Sequence, residues 1–157
     1  MEDIKLINFV DLSLEKKKEI LFWRNHIDIR RYMRNRALIS LREHLEYIDS
    51  LKDSKDKIYF LVKKGDEYIG VIDFVDIKDA SAEIGLYAKP SLRGVGDILM
   101  RAIIKYGFSS LNLKKLRLEV LEDNIRAIKL YKRFGFKEID RKNGYIYMEL
   151  KGETLKL

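Results

Sequence analysis

The sequence predicts a mixed α/β protein: one sheet that contains a parallel pair, with helices on both of its faces. Three observations predict it. Segments of period-two and period-3.6 hydrophobicity follow one another in the order β-α-α-β-β-β-α-β-α-β-β. Residues 81 to 121 read as strand, helix, strand, a unit that brings the chain back parallel to itself through a right-handed crossover. Two pairs of strand-like runs flank Gly65-Asp66 and Asn143-Gly144, and dipeptides of this kind close antiparallel hairpins because their φ angles can turn positive.

Each element has a local reason. IKLINF (4–9) alternates as a strand. Ser13 can accept from the first N–H groups of a helix that runs to about His26, with Ile20, Trp23 and Ile27 at helical spacing. An irregular arginine-rich stretch follows. Ser40 and Glu43 are spaced as a capping box and start a second helix to about Lys52. KIYFLVKK and YIGVIDFVDI make the first hairpin, and SAEIGLYA (81–88) is the next strand. After Pro90 a glycine-rich turn opens a helix from about Val95 to Ser110. KLRLEVL (115–121) is a strand, Asp123 or Asn124 caps a helix to Phe134, and FKEID and YIYMEL form the last hairpin.

Composition excludes several classes of function. The 157 residues make one domain, 1–157, long enough to bury a core. No apolar run approaches a membrane span and MEDIKLINF has no signal-peptide core, so a cytoplasmic protein with no membrane partner is expected. The absence of cysteine removes thiolate nucleophiles and Cys-based metal sites, and with only His26 and His44 a His-rich metal site goes too; no metal is expected. The net charge of +7 is unevenly placed. Arg24, Arg30, Arg31, Arg34, Arg36 and Arg42 form one cluster; Lys114, Lys115, Arg117, Lys129, Lys132, Arg133 and Lys137 form another. Such clusters attract phosphates or serve as solvated surface. No nucleic-acid motif accompanies them and the aromatics sit at core-like spacings, so nucleic acid is not an expected partner.

Two stretches carry more than packing. In KPSLRGVGDILM, Gly94 and Gly96 lie between a strand and a helix. Lacking Cβ atoms, they let a ligand approach the backbone, and the N–H groups with the helix N-terminus behind them suit an anion. A plain strand-to-helix turn is the competing reading. No G-x-x-x-x-G-K-[ST] and no third glycine at a Rossmann spacing occur, so the phosphate is not that of a nucleoside triphosphate or a dinucleotide. In NIRAIKLYKRFGF, the fixed points Asn124, Ala127, Tyr131 and Gly135-Phe136 exceed what a packing helix needs, although Tyr131 also reads as a core aromatic.

Taken together, Pro90, LRGVG and the Asn124-to-Phe136 pattern resemble the GNAT family of N-acetyltransferases, over about residues 4 to 150. The resemblance implies a central, mostly antiparallel sheet with a splayed parallel pair. It implies acetyl-CoA as co-substrate and direct transfer through a tetrahedral intermediate. On these positions the turn of Leu92, Arg93, Gly94, Val95, Gly96 and Asp97 would hold the pyrophosphate of coenzyme A. Asn124, with Ala127, would line the pantetheine arm; Tyr131 would protonate the departing thiolate; backbone N–H groups of Leu86, Tyr87 and Ala88 would polarise the acetyl carbonyl. The family's Gln or Arg falls on Ser91 here, with Arg93 the nearest base.

FWRNHIDIRRYM, EHLEYIDSL, IGVIDFVDI and the two motifs also resemble the N-acetyltransferases of bacterial pseudaminic acid biosynthesis, which acetylate the 4-amino group of a UDP-linked 4-amino-4,6-dideoxy-N-acetyl-altrosamine. That implies a nucleotide-sugar acceptor. Arg24, Arg30 and Arg31 could pair with its diphosphate, with Asn25 and His44 nearby, and Tyr32, Met33 or Trp23 could cover the uracil; Trp23 also reads as core. The second basic cluster would meet the 3′-phosphate of coenzyme A. Alternation places Glu83 on one strand face with Gly85 and Tyr87, which makes Glu83 a candidate proton acceptor, with His44 the other. A homodimer is a candidate assembly. Two readings stay beside this one: a protein N-terminal acetyltransferase, because Trp23-Arg24-Asn25 also occurs in those enzymes, and a non-catalytic domain that binds acyl-CoA or nucleic acid.

Overall fold

The structure, a computed structural model, describes residues 3–152. Seven strands form one sheet: β1 (Ile4–Asn8), β2 (Ile58–Lys64), β3 (Glu67–Lys78), β4 (Ser81–Ala88), β5 (Lys115–Leu121), β6 (Lys137–Lys142) and β7 (Tyr145–Lys151). Their order across the sheet is β1-β2-β3-β4-β5-β7-β6. Every neighbouring pair is antiparallel except β4 and β5, which run parallel as the strand-helix-strand unit requires. Both hairpins turn where expected, with Gly65 at φ 58° and Asn143 and Gly144 at 53° and 83°.

The helices start where the caps place them. Ser13 Oγ accepts from the Lys16 N–H at 3.2 Å to open α1 (Leu14–Asn25), and Ser40 and Glu43 bond reciprocally to open α3 (Leu41–Ser50). The stretch read as irregular contains one helical turn, α2 (Ile27–Arg30), which His26 Nδ1 caps by accepting from the Asp28 N–H at 3.1 Å. α4 (Gly96–Lys105) continues into a wider π turn over Tyr106–Ser110, and α5 (Ile125–Arg133) follows β5.

Strand alternation divides the apolar side chains between two cores. Leu61 and Val71 point to one face, where they meet Phe9, Ile20, Trp23 and Ile48 from the segments around α1 and α3. Their neighbours Phe60, Val62 and Ile72 point to the other face, against Leu99, Met100 and Ile103 of α4 and Ile128, Leu130 and Tyr131 of α5. Each such buried side chain contributes about 1.5–3 kcal/mol relative to exposure. A one-residue slip of β2 or β3 would exchange the two sets, so the register is firmly held. No helix among the described residues is long and apolar enough to cross a membrane.

One feature of the sheet positions everything that follows. β4 and β5 pair only over Ser81–Glu83 against Lys115–Arg117. Beyond that point β4 stays on β3 as far as Ala88, and β5 stays on β7 as far as Leu121. The two strands therefore part, and the β5-facing edge of β4 after Glu83 is left without a strand partner.

Candidate active site

A cavity of about 1080 Å³ occupies the wedge between the parted strands. It runs from the turn before α4, across β4 and α5, to the arginine-rich loop between α2 and α3. The residues assigned above to the pyrophosphate, the pantetheine arm, the acetyl carbonyl and the thiolate, from Leu86 to Tyr131, line it.

The glycine turn is open to a ligand. Gly94 has φ 79°, which an L side chain rarely adopts, and a Cβ there would meet nothing within 4 Å. Val95 occupies the N-cap of α4 without any side-chain cap, so the first N–H groups of the helix are free for a bound anion. Gly96 has a different reason. A Cβ there would lie 3.2 Å from Leu130 Cδ2, so this glycine lets α4 approach α5 rather than letting a ligand approach the backbone. Ser91, where the family has a long polar side chain, has φ 72° and lies outside the cavity wall. The bases that face this end are Arg93, Arg126 and Arg133, and Arg133 is paired with Asp97. Of the second basic cluster only Arg133 reaches the wall; Lys115 and Arg117 are turned to Glu149 and to Asp76 and Ser81.

Asn124 has two roles. Its Oδ1 accepts from the Ala127 N–H at 3.3 Å and caps α5, which leaves the side-chain amide N–H groups facing the cavity. Tyr131 is 8% exposed, with its ring centroid 6.0 Å from that of Phe136. Burial first, and the charge of Asp73 second, push its pKa up to about 12, so the phenol holds its proton at neutral pH. A protonated phenol on the wall of this cavity is a proton donor.

The acceptor end differs from the sequence reading. Trp23 is 2% exposed and belongs to the core under α1, because its position at helical spacing with Ile20 turns it inward. Asn25 bonds both backbone groups of Ile39 at 2.8 Å. Arg30 donates to the carbonyls of Asn25 at 3.1 Å and Arg36 at 3.0 Å, and Arg31 lies over the ring of Tyr32. None of these four lines the cavity. The physical reason is the loop itself. Residues 31 to 40 make no regular ladder, so their carbonyls need donors, and guanidinium groups supply several each. Arg24 and Arg30 thus serve the chain's own hydrogen-bond framework around this loop. Arg24 and Met33 do line the cavity, with Tyr32 beside Met33. Arg24 Nη2 donates to the Asn35 carbonyl at 3.0 Å, while Nη1 is buried and has no partner among the described residues, and burial lowers the pKa of this guanidinium.

The two candidate proton acceptors are also placed differently. Glu83 is outside the cavity: it sits at the last bonded pair of β4 and β5, opposite Arg117, before the strands part. Burial, then Glu119, raises its pKa. His44 is on the wall but buried, and its Nε2 bonds the Lys17 carbonyl at 2.8 Å, tying α3 to α1. Burial lowers its pKa, so it is neutral at pH 7.

Several wall residues were not among the site candidates read from the sequence. Arg34 makes a two-point contact with Glu119, Nε to Oε1 at 2.9 Å and Nη2 to Oε2, and stacks 4.2 Å from the Tyr145 ring centroid, which clips the loop onto β5 and β7. Tyr59, whose hydroxyl lies 2.9 Å from that of Tyr47, faces the inner end. Asp73 stands between buried Ile72 and Phe74 on β3, directly opposite Gly85 of β4. Burial, with Glu83 beside it, lifts its carboxyl to about 7. A carboxylate in the apolar run GVIDFV, across from a glycine, is the one signal that the sequence did offer for this group.

Known proteins agree with this geometry. The acetyltransferase (GNAT) family model matches residues 23–136. Acetyltransferase PseH of Campylobacter jejuni subsp. jejuni (serotype O:23/36, strain 81-176) is 43% identical over 153 residues, which span 98% of this chain and 97% of that protein. The crystal structure of Campylobacter jejuni N-acetyltransferase PseH in complex with acetyl coenzyme A superposes with a TM-score of 0.83 at 41% identity, covering 95% of this chain and 99% of that one. Spermidine N-acetyltransferase from Vibrio cholerae, in complex with CoA and spermine, superposes with a TM-score of 0.84 over 96% of each chain but at 23% identity, a likeness of fold alone. With the family model spanning most of its length and relatives this similar from end to end, the chain belongs to the GNAT family of acetyltransferases.

Proposed function

We propose that the chain transfers the acetyl group of acetyl-CoA to the 4-amino group of UDP-4-amino-4,6-dideoxy-N-acetyl-β-L-altrosamine, a step of pseudaminic acid biosynthesis. The observation that carries this reading is the single cavity that joins an uncapped, glycine-opened helix N-terminus at one end to a wall bearing Arg24, Tyr32 and Met33 at the other. The similarity to PseH over nearly the whole chain supports the same reading.

Acetyl-CoA supplies an activated thioester. The chain supplies position and proton traffic. Gly94, Val95 and the first turn of α4 hold the pyrophosphate; the amide of Asn124 meets the pantetheine arm; among the described residues Arg93 and Arg126 are the cations near that end without a carboxylate partner. The acetyl group then lies in the wedge, where the N–H groups of Leu86 and Ala88 face the β5 side without a strand partner and can donate to the carbonyl oxygen; the antiparallel register turns the Tyr87 N–H to β3. Tyr131 gives its proton to the leaving sulfur. On the acceptor, the Arg24 side chain on the wall pairs with the diphosphate and Tyr32 and Met33 cover the base.

The test follows CoA release with three acceptors: the UDP-4-amino sugar, the free amino sugar and an N-terminal peptide. Turnover of the UDP-sugar well above the other two is expected. Equal rates on the free sugar would mean that the diphosphate is not read, and turnover of the peptide alone would transfer the assignment to protein N-termini.

A further inference from the structure

We propose that Asp73 is the group that accepts the proton of the attacking amine; the proposal rests on the acetyl-transfer reading above and holds for any amine acceptor. Four carboxylates line the cavity: Asp28, Asp73, Asp97 and Glu119. Asp97 is held by Arg133 and Glu119 by Arg34, so each is committed to a cation. Asp28 lies 3.8 Å from His26 with 60% of its side chain in solvent, at the mouth. Asp73, on β3 opposite Gly85 in the parted stretch of β4, is the one of the four that neither a cation nor a hydrogen-bond donor holds among the described residues. A carboxylate kept in such a place without a partner costs stability, which a structural role does not explain.

The backbone is shaped around this carboxyl. Asp73 and Gly85 are cross-strand partners, and a Cβ on Gly85 would lie 2.7 Å from Asp73 Oδ2. Any other residue at 85 would push the carboxyl out of its seat. Gly85 is followed directly by Leu86, Tyr87 and Ala88, so the carboxyl is beside the edge that receives the acetyl carbonyl. The titratable groups that feel its charge are Tyr59 from β2, Glu83 and Tyr87 from β4, and Tyr131 from α5. Arg24 of α1 shares the cavity and faces Tyr59 and Tyr87 without pairing with Asp73.

The proton balance closes. The amine nitrogen forms its bond to the acetyl carbon, its N–H proton passes to an Asp73 oxygen, the C–S bond breaks, and the sulfur takes the phenolic proton of Tyr131. Solvent then removes one proton from Asp73 and returns one to Tyr131. The two groups are coupled in the useful sense. While ionised, Asp73 holds the Tyr131 proton in place. Once Asp73 has taken the amine proton its charge is gone, and Tyr131 releases its own proton more readily.

The experiment has two arms. The first compares wild type with Asp73→Asn across pH 5 to 9, by CoA release with the UDP-4-amino sugar and the N-terminal peptide at saturating acetyl-CoA. Wild-type kcat should fall on the acid side of neutrality. Asp73→Asn should lose about 10²-fold or more and show no break there, with acetyl-CoA binding unchanged. The second arm needs no acceptor: with aspartate 13Cγ labelling and acetyl-CoA present, one carboxyl carbon should titrate near neutral pH and be missing from Asp73→Asn. Wild-type silence on the sugar but turnover of the peptide would refute the acceptor and leave the base to be decided on the peptide. An Asp73→Asn enzyme that keeps its rate and its acid limb, or aspartates that all titrate in the ordinary carboxylate range, would overturn the proposal.

Discussion

Tyr131→Phe separates chemistry from packing more cleanly than any other change in this protein. The ring stays between α5 and Phe136, so the buried apolar surface is kept. The hydroxyl that is removed has no hydrogen-bond partner among the described residues, and its loss leaves no orphaned donor or acceptor behind. The melting temperature should therefore hold or rise slightly. Turnover should not hold. The pKa of about 12 keeps the phenol protonated across the working range, and a positioned acid contributes at least about 10²-fold. At about 1.36 kcal/mol per factor of ten, that is about 2.7 kcal/mol of barrier, from an oxygen that contributes almost nothing to folding. The assay pairs thermal denaturation, with and without acetyl-CoA, with single-turnover CoA release. The expected result is kcat down by about 10²-fold or more, with the acetyl-CoA-induced thermal shift intact. A Phe variant with near-normal kcat would show that water or another group protonates the sulfur and that Tyr131 is a core aromatic.

The other predictions separate ligand effects from packing effects elsewhere in the site. Gly94→Val and Gly96→Val should differ: the first forces a β-branched residue to φ 79°, at about 1–2 kcal/mol of backbone strain, and abolishes the acetyl-CoA thermal shift, whereas the second meets Leu130 and lowers the melting temperature of the free protein first. A Gly94→Val protein with a full shift would remove the pyrophosphate from this turn. Arg30→Ala should lower the melting temperature by an amount equivalent to about 1–3 kcal/mol as well as raise the acceptor KM, because its two carbonyl contacts hold the loop; a pure KM effect would restore it to the substrate. Arg34→Ala should raise the acceptor KM and leave acetyl-CoA affinity unchanged, checked by calorimetry, since it frees the loop from Glu119 and Tyr145 and touches nothing at the glycine turn. Asp73→Asn should gain stability on wild type as pH rises. The native carboxyl keeps its proton to about 7 while the unfolded one loses it near 3.8, so wild-type stability falls between those values, and the two melting curves should converge below about pH 4.

How much was legible depended on whether a signal was local. The strands SAEIGLYA and KLRLEVL were readable to the residue, because alternation and flanking turns define a strand without reference to its neighbours. The capping box at Ser40 and the hairpin at Asn143-Gly144 were equally local. The candidates for the donor half came from two motifs whose residues lie close together in sequence, and the fold brings Gly94, Asn124 and Tyr131 to one cavity. The acceptor half is built from residues 24 to 47, 59, 73 and 119, and nothing in the sequence said which of them meet. Six arginines looked alike there; only the folded loop shows that Arg30 serves its own carbonyls and Arg24 keeps one donor free. The placement of Glu83 off the cavity wall was hidden for the same reason. Its strand face was right, but where β4 and β5 part was not visible, and Glu83 lies on the closed side of that point.

The charge pattern of the acceptor wall bears on what enters it. Arg24 lines the same cavity as the carboxyl of Asp73, and among the described residues the two do not pair with one another. A ligand that carried only positive charge would meet Asp73 and be repelled by Arg24. One that carried only phosphate would gain at Arg24 and lose at Asp73. An amine joined to a diphosphate presents one charge to each, and the desolvation cost of both protein groups is then offset by the same ligand. Asp73 is seated by Gly85 next to the unpaired edge of β4, so under the proposed roles the orientation that satisfies both charges would also bring the amine to the acetyl carbon. Binding and alignment thus draw on the same two contacts, which is how a site can gain in rate from groups that do not touch the thioester.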